Sequence, residues 1–187
     1  MNFRTLAELE LGLVAIQASP ADLGRIEMVV RRPRTNQREI LEEGELDPAR
    51  GLVGDAWGFR GAVEATDYDV QLTLMNSRTI ALIAGDRARW ALAGDQLYVD
   101  LDLSLDNLPP GSRLSMGSAL VEVSAEPHTG CRKFIERFGV DAQKFVNSPD
   151  GRRLNLRGVN ARVIHGGVVR AGDVIRKVAD IAVGASR

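Results

Sequence analysis

From Gly24 to Val178 the chain breaks into many short segments of strand character, each closed by Gly, Pro or Asp. Ile26–Arg31 is the first and Pro33 ends it, and a polar turn leads to a second near Glu39–Leu46. Further strands are expected at Val70–Met75, Gln96–Asp100, Arg113–Met116, Leu120–Ala125, Gly158–Ile164, Val168–Arg170 and Val174–Val178. Gly166-Gly167 reads as a tight hairpin turn between two of them. Many short strands with breakers at their ends predict a mainly β fold with a few helices, a closed or nearly closed barrel.

Helical periodicity is confined to short pieces. Leu6, Leu9, Leu13 and Ile16 recur at helical spacing, so residues 3–17 are read as an amphipathic helix stopped by Ser19-Pro20. It packs on the body or on a partner subunit, which leaves a homo-oligomer open. Asn76 or Ser77 caps a helix over Arg78–Ala84, a helical turn follows around Arg87–Leu92, and helices are expected after Cys131 and over Ala142–Val146. The division is therefore an N-terminal helical extension (1–22), a barrel domain (23–180) and a C-terminal tail (181–187).

Composition narrows the class. Of 187 residues 24 are Lys or Arg and 25 Asp or Glu, a net charge of -1, and the two signs are well mixed. Nothing in that balance suggests a nucleic-acid or membrane surface. No segment has the length and apolarity of a membrane span, and the charged N-terminus lacks the apolar run of a signal peptide. One cysteine excludes an intramolecular disulfide. The expectation is a soluble cytoplasmic protein.

That cysteine carries the chemistry. Cys131 follows Pro127-His128-Thr129-Gly130 and precedes Arg132-Lys133 at the expected start of a helix. A helix N-terminus and neighbouring cations favour thiolate over thiol, which makes a nucleophile or soft-metal ligand; the alternative is a small apolar residue in a core. His128 is a proton acceptor, a donor to a ligand oxygen or an ion-pair partner of the thiolate, or else a loop cap. Gly-Asp recurs at Gly54-Asp55, Gly85-Asp86, Gly94-Asp95 and Gly172-Asp173, where Gly supplies positive φ and Asp bonds back to the following amides, so these four aspartates are read as turn residues.

The order of motifs is more specific than any one of them. Gly51-Leu52-Val53-Gly54-Asp55 precedes Gln71-Leu72-Thr73-Leu74-Met75. Gly94-Asp95-Gln96-Leu97 and Leu108-Pro109-Pro110-Gly111 come next, followed by Cys131 and the closing run Arg157-Gly158-Val159-Asn160 through Gly172-Asp173. This series resembles the MOSC domain, found at the C-terminus of molybdenum-cofactor sulfurases and as small free-standing bacterial proteins. The resemblance implies a barrel related to the small barrel domain of pyruvate kinase. It also implies a molybdenum cofactor (molybdopterin), with Cys131 as molybdenum ligand or as carrier of sulfur destined for it. Relatives include reductases of N-hydroxylated compounds.

For the cofactor's phosphate and pterin, the cations Arg132, Lys133, Arg152, Arg153 and Arg157 form as a group a candidate anion clamp, and Asn160 a candidate pterin contact; the alternative is a solvated surface residue for each cation and a buried structural amide for Asn160. No pyridoxal-phosphate desulfurase domain is recognisable, so no pyridoxal phosphate is expected. This absence favours the reductase reading over sulfur transfer. No iron–sulfur cysteine cluster is present either, so a small-molecule substrate would be served by a separate electron-donor or sulfur-donor protein. Three rivals share these residues: a zinc site built on His128, Cys131 and His165, a Cys-His hydrolase or transferase, and a non-catalytic module that binds a small anion.

Overall fold

The computed structural model describes residues 3–59 and 67–178. Eleven strands are present among them: β1 Gly24–Arg31, β2 Glu39–Leu41, β3 Glu43–Asp47, β4 Gly51–Leu52, β5 Leu72–Asn76, β6 Leu97–Asp100, β7 Arg113–Met116, β8 Ala119–Val123, β9 Val159–His165, β10 Gly167–Arg170 and β11 Val174–Val178. Seven of them close a barrel in the order β1-β11-β7-β8-β9-β5-β6, with β6 returning to β1. All its pairings are antiparallel except β5 with β6. Closure leaves no bare edge among these seven. Strand β2 hangs on β1, and β3, β4 and β10 form a second small sheet.

Two cores follow from the two faces of the barrel wall. Inside lie Leu72 and Leu74 of β5, Leu97 and Val99 of β6, and their counterparts from the other strands. Outside, Met75 and Tyr98 meet the helices. Strand β1 serves both cores by means of a bulge between Ile26 and Met28. An extra residue there shifts the phase of alternation, so Ile26 and Val29 face in while Met28 and Val30 face out.

Among the described residues six α-helices cover that outer face: α1 Leu6–Leu11, α2 Leu13–Gln17, α3 Ser77–Ala84, α4 Arg132–Phe138, α5 Val140–Asn147 and α6 Pro149–Arg153. The expected single helix over 3–17 is two helices, broken at Gly12. A Cβ at Gly12 would lie 2.5 Å from Leu82 Cδ1, so the break sits where α3 comes closest. The apolar line survives it: Leu9 and Ile16 are buried, with Leu6 and Leu13 packed beside them. Thr5 and Glu8 form a capping box at the start of α1. Asn76 caps α3, its Oδ1 accepting from Thr79 N at 3.0 Å while its Nδ2 reaches Leu101 O at 2.8 Å.

The hairpin expected at Gly166-Gly167 does not form. After Gly166 the chain leaves the barrel, and β10 pairs with β3 while β9 stays between β8 and β5. Glycine here serves close approach: a Cβ on Gly167 would stand 2.5 Å from the Ser118 backbone. The single strand expected over Glu39–Leu46 is likewise two, split at Glu42 between two sheets. No helix among the described residues is long and apolar enough to cross a membrane. The tail at 181–187 lies outside the described residues.

Gly158 sets the approach of β9 to β5. Its φ is +108°, and a Cβ there would fall 2.2 Å from Leu74 O and 3.3 Å from His128 Nδ1. Gly158→Ala is expected to cost about 2 kcal/mol or more, read as a lower urea midpoint, because both conformation and space oppose it.

Candidate functional site

Beside α4 the loop from β8, the start of β9 and the ends of β1 and of the 3-10 helix Arg87–Ala93 converge. At their centre the fully buried carboxylate of Asp95 receives Nη1 of Arg157 on both oxygens, at 2.9 and 2.8 Å. Arg157 Nη2 also donates to Ala93 O at 3.0 Å, and its guanidinium lies 5.0 Å above the ring of Phe134 in α4. A second such pair stands nearby. Arg32 forks onto buried Asp55 through Nε and Nη2, and Nη1 donates to Gly94 O at 2.7 Å. The turn reading needs correction for Asp95, a buried partner of Arg157 with no local amide bonded to its side chain among the described residues. Asp55 keeps its turn bond, accepting from Trp57 N at 3.0 Å, and is also the buried partner of Arg32. Asp86 accepts from Ala88 N, and Asp173 from the preceding Arg170 N. The glycines keep their positive φ in all four.

His128 sits against this centre, its Nδ1 3.5 Å from Asp95 Oδ1 and without a hydrogen bond in the protein. Burial, reinforced by the Arg157 cation and only partly opposed by Asp95, lowers its pKa to about 3. The imidazole is thus neutral at pH 7. It can donate or accept a hydrogen bond, but it is no cationic partner for a thiolate.

Cys131 is the N-cap residue of α4, exposed, with its side chain free of capping bonds. Its loop is held by Asn147 of α5, which accepts from Gly130 N at 3.0 Å and donates to Gly130 O at 3.3 Å. Cys131, His128 and Asn160 share one cleft of about 480 Å³ with Arg32, Arg38, Lys133, Arg137 and Arg157. Arg32 and Arg157 are neutralised by their aspartates; Arg38, Lys133 and Arg137 have no carboxylate within 4.0 Å among the described residues. Burial, with Arg137 and Arg32 close by, depresses the pKa of Arg38. Three such cations against the one unpaired carboxylate of the lining among the described residues, Glu126, leave the cleft net positive, which favours an anion away from Glu126.

The sequence-derived candidates fall into three groups. Cys131, His128, Lys133, Arg157 and Asn160 come together at the cleft, though Arg157 is spent on Asp95 and Asn160 Nδ2 on the Glu126 carbonyl, at 3.0 Å. Arg152 lines a neighbouring cavity. Arg132, paired with Glu136, and Arg153, paired with Asp106, face away from both. Sequence reasoning missed Arg32, Arg38 and Arg137, which come from the ends of β1 and α4 and the loop before β2; no local motif marks them. Among the described residues no three His, Cys, Asp or Glu side chains converge as a metal-binding group, which leaves the zinc reading without a third ligand.

The seven-stranded barrel defines the fold class, and the comparisons agree on fold and family. The sequence pattern of the MOSC domain matches residues 52–176, and the chain belongs to that family. In fold it is similar to the YuaD protein of Bacillus subtilis, with a TM-score of 0.56, 18% identity, and 81% of this chain and 93% of that one covered. It is also similar to YiiM of Escherichia coli, with a TM-score of 0.55, 20% identity, and 84% and 71% covered. A hypothetical protein of known structure aligns at a TM-score of 0.55 with 24% identity over 83% and 69%. No curated protein matches the chain.

Two outcomes follow from the buried centre. Asp95→Asn is expected to destabilise by about 3–5 kcal/mol, because it strands the Arg157 cation, and an added Arg157→Met should recover part of that loss. Denaturant midpoints for the two single variants and the double variant test this. For His128, the unfolded chain takes up a proton below about pH 6.5 and the folded chain only near 3. The unfolded state then binds more protons in that interval, so the His128 contribution is full above pH 6.5 and declines as pH falls towards 3. Between pH 7 and 4.5, His128→Gln should lose less stability than the native chain.

Proposed function

We propose that the cleft holds the molybdenum cofactor and that the protein is the substrate-binding component of a reductase for N-oxygenated compounds. The observation that carries the reading is the exposed Cys131 thiol at the rim of a cleft with three uncompensated cations. The donor chemistry fits the group. A thiolate is a soft ligand suited to molybdenum, and guanidinium and ammonium groups suit a pterin phosphate. Cys131 would supply the metal ligand, Arg38, Lys133 and Arg137 the phosphate contacts, and Asn160 a contact at the pterin edge. When bound, the cofactor supplies two-electron redox chemistry.

The chain's own residues set the conditions for it. Arg32 and Arg157, each locked to an aspartate, shape the cleft wall while Arg38, Lys133 and Arg137 attract the anion. Neutral His128 offers a hydrogen bond to a polar group in the cleft without adding charge. Reduction of an N–OH to N–H releases water and takes up two electrons and two protons. The electrons require a separate donor protein. A second reading draws on the exposure of Cys131: an accessible thiol also suits a persulfide that carries sulfur to the cofactor.

Purification from a molybdenum-replete host under anaerobic conditions tests both. The reductase reading expects molybdenum and pterin near one per chain, loss of the metal in Cys131→Ser, and at least a fivefold loss of pterin in Arg38→Ala. A persulfide on Cys131 with no molybdenum would favour sulfur carriage. An inert thiol without either would overturn both.

A further inference from the structure

A second cavity, of about 420 Å³, backs onto the cationic cleft, and the two share the wall Glu126–Thr129 and Asn160. Its volume suits a small organic molecule. In character it is the opposite of its neighbour. Leu105, Leu108, Pro110, Val123, Val146 and Val159 line most of it. Several of its polar side chains are already engaged. Asn155 Nδ2 donates to Leu103 O at 2.8 Å, Ser124 Oγ to Asp69 O at 2.6 Å, and Asn160 Nδ2 to Glu126 O at 3.0 Å.

Two charged groups in the lining are not engaged in ion pairs. Arg152 is held by a single bond, Nε to Asn147 O at 3.1 Å, and has no carboxylate within 4.0 Å among the described residues. Its neighbour Arg153 differs, pairing with Asp106 and Asp150 and lining neither cavity. Both terminal nitrogens of Arg152 therefore remain for a ligand, in the fork geometry that suits a carboxylate. Glu126 carries the second charge, at the shared wall, also without a cationic partner among the described residues. An anion is disfavoured at that end and a donor group favoured. The cavity thus has a polarity along its length.

We propose that this cavity is the substrate pocket, taking a compact apolar body with one carboxylate held by Arg152 and its reacting end against the wall at His128 and Glu126. The placement of the reacting end rests on the redox reading of the adjoining cleft; capture of the carboxylate does not. A single guanidinium matches a monoanion, and the apolar walls supply affinity for a ring or short hydrocarbon.

The test is a titration of the isotope-labelled full chain, followed by amide chemical shifts, with three probes that share a phenethyl body: 3-phenylpropanoate, 3-phenylpropanamide and phenethylamine. The expected result is shifts at Leu105–Leu108 and Ser124–Thr129, with the carboxylate binding about fivefold or more tighter than the amide. Arg152→Gln should remove that preference and leave the amide's affinity unchanged, while Arg38→Ala should leave both as they are. Equal binding of all three probes, or no binding, overturns the proposal. So does a carboxylate preference abolished by Arg38→Ala, which would put the probe in the cationic cleft. Molybdenum content is measured on the same preparation: probe binding that persists in a chain unable to hold the metal would leave the pocket standing and remove the redox reading.

Discussion

The buried pair of Asp95 and Arg157 ties the barrel to everything that surrounds the site. Asp95 lies between the 3-10 helix and β6, and Arg157 lies just before β9, so one charge-assisted contact joins segments 62 residues apart. Arg157 in turn rests on Phe134 of α4, the helix that begins at Cys131. His128 packs against the same carboxylate. A buried pair of this kind adds little net stability compared with apolar packing, but breaking it strands a charge. Its effect is to admit one arrangement of the loop, the helix and the imidazole.

The two cavities divide the chemistry of recognition between them. The cationic cleft gathers arginines from the segment after β1, from α4 and from just before β9, and its balance of charge is decided by which of them have aspartates. The neighbouring cavity is mostly apolar, with one cation, one carboxylate and several polar side chains already engaged elsewhere. The wall between them is a single stretch of backbone, Glu126–Thr129, fixed through Asn160 on one side and positioned by Gly158 beneath His128. Glycine at 158 is required because any side chain would displace either β5 or the imidazole.

Much of the fold was legible because barrel strands advertise themselves. Breakers at their ends and apolar runs within them located most of the strands to within a residue or two, and the cap of α3 was narrowed to Asn76 or Ser77, of which Asn76 serves. The partners of those strands were less legible. A Gly-Gly step reads as a hairpin whether or not the two strands pair, and here β10 joins β3 instead of β9. The break at Gly12 was invisible for a similar reason: the residue that demands it, Leu82, belongs to another helix.

The candidate site shows the same boundary. By itself the sequence determined that Cys131 stands at a helix start after a loop closed by Gly130, that His128 and Lys133 are its neighbours, and that the order of motifs is that of a MOSC domain. Only the tertiary structure decided which charges count. Arg132 and Arg153, adjacent to the predicted features, turn outward to carboxylates, while Arg32, Arg38 and Arg137 converge on the cleft from distant positions. Asp95, indistinguishable in sequence from three other Gly-Asp turns, became the buried anchor. Local spacing specifies backbone conformation, whereas burial and ion pairing depend on which segments the closed barrel brings together.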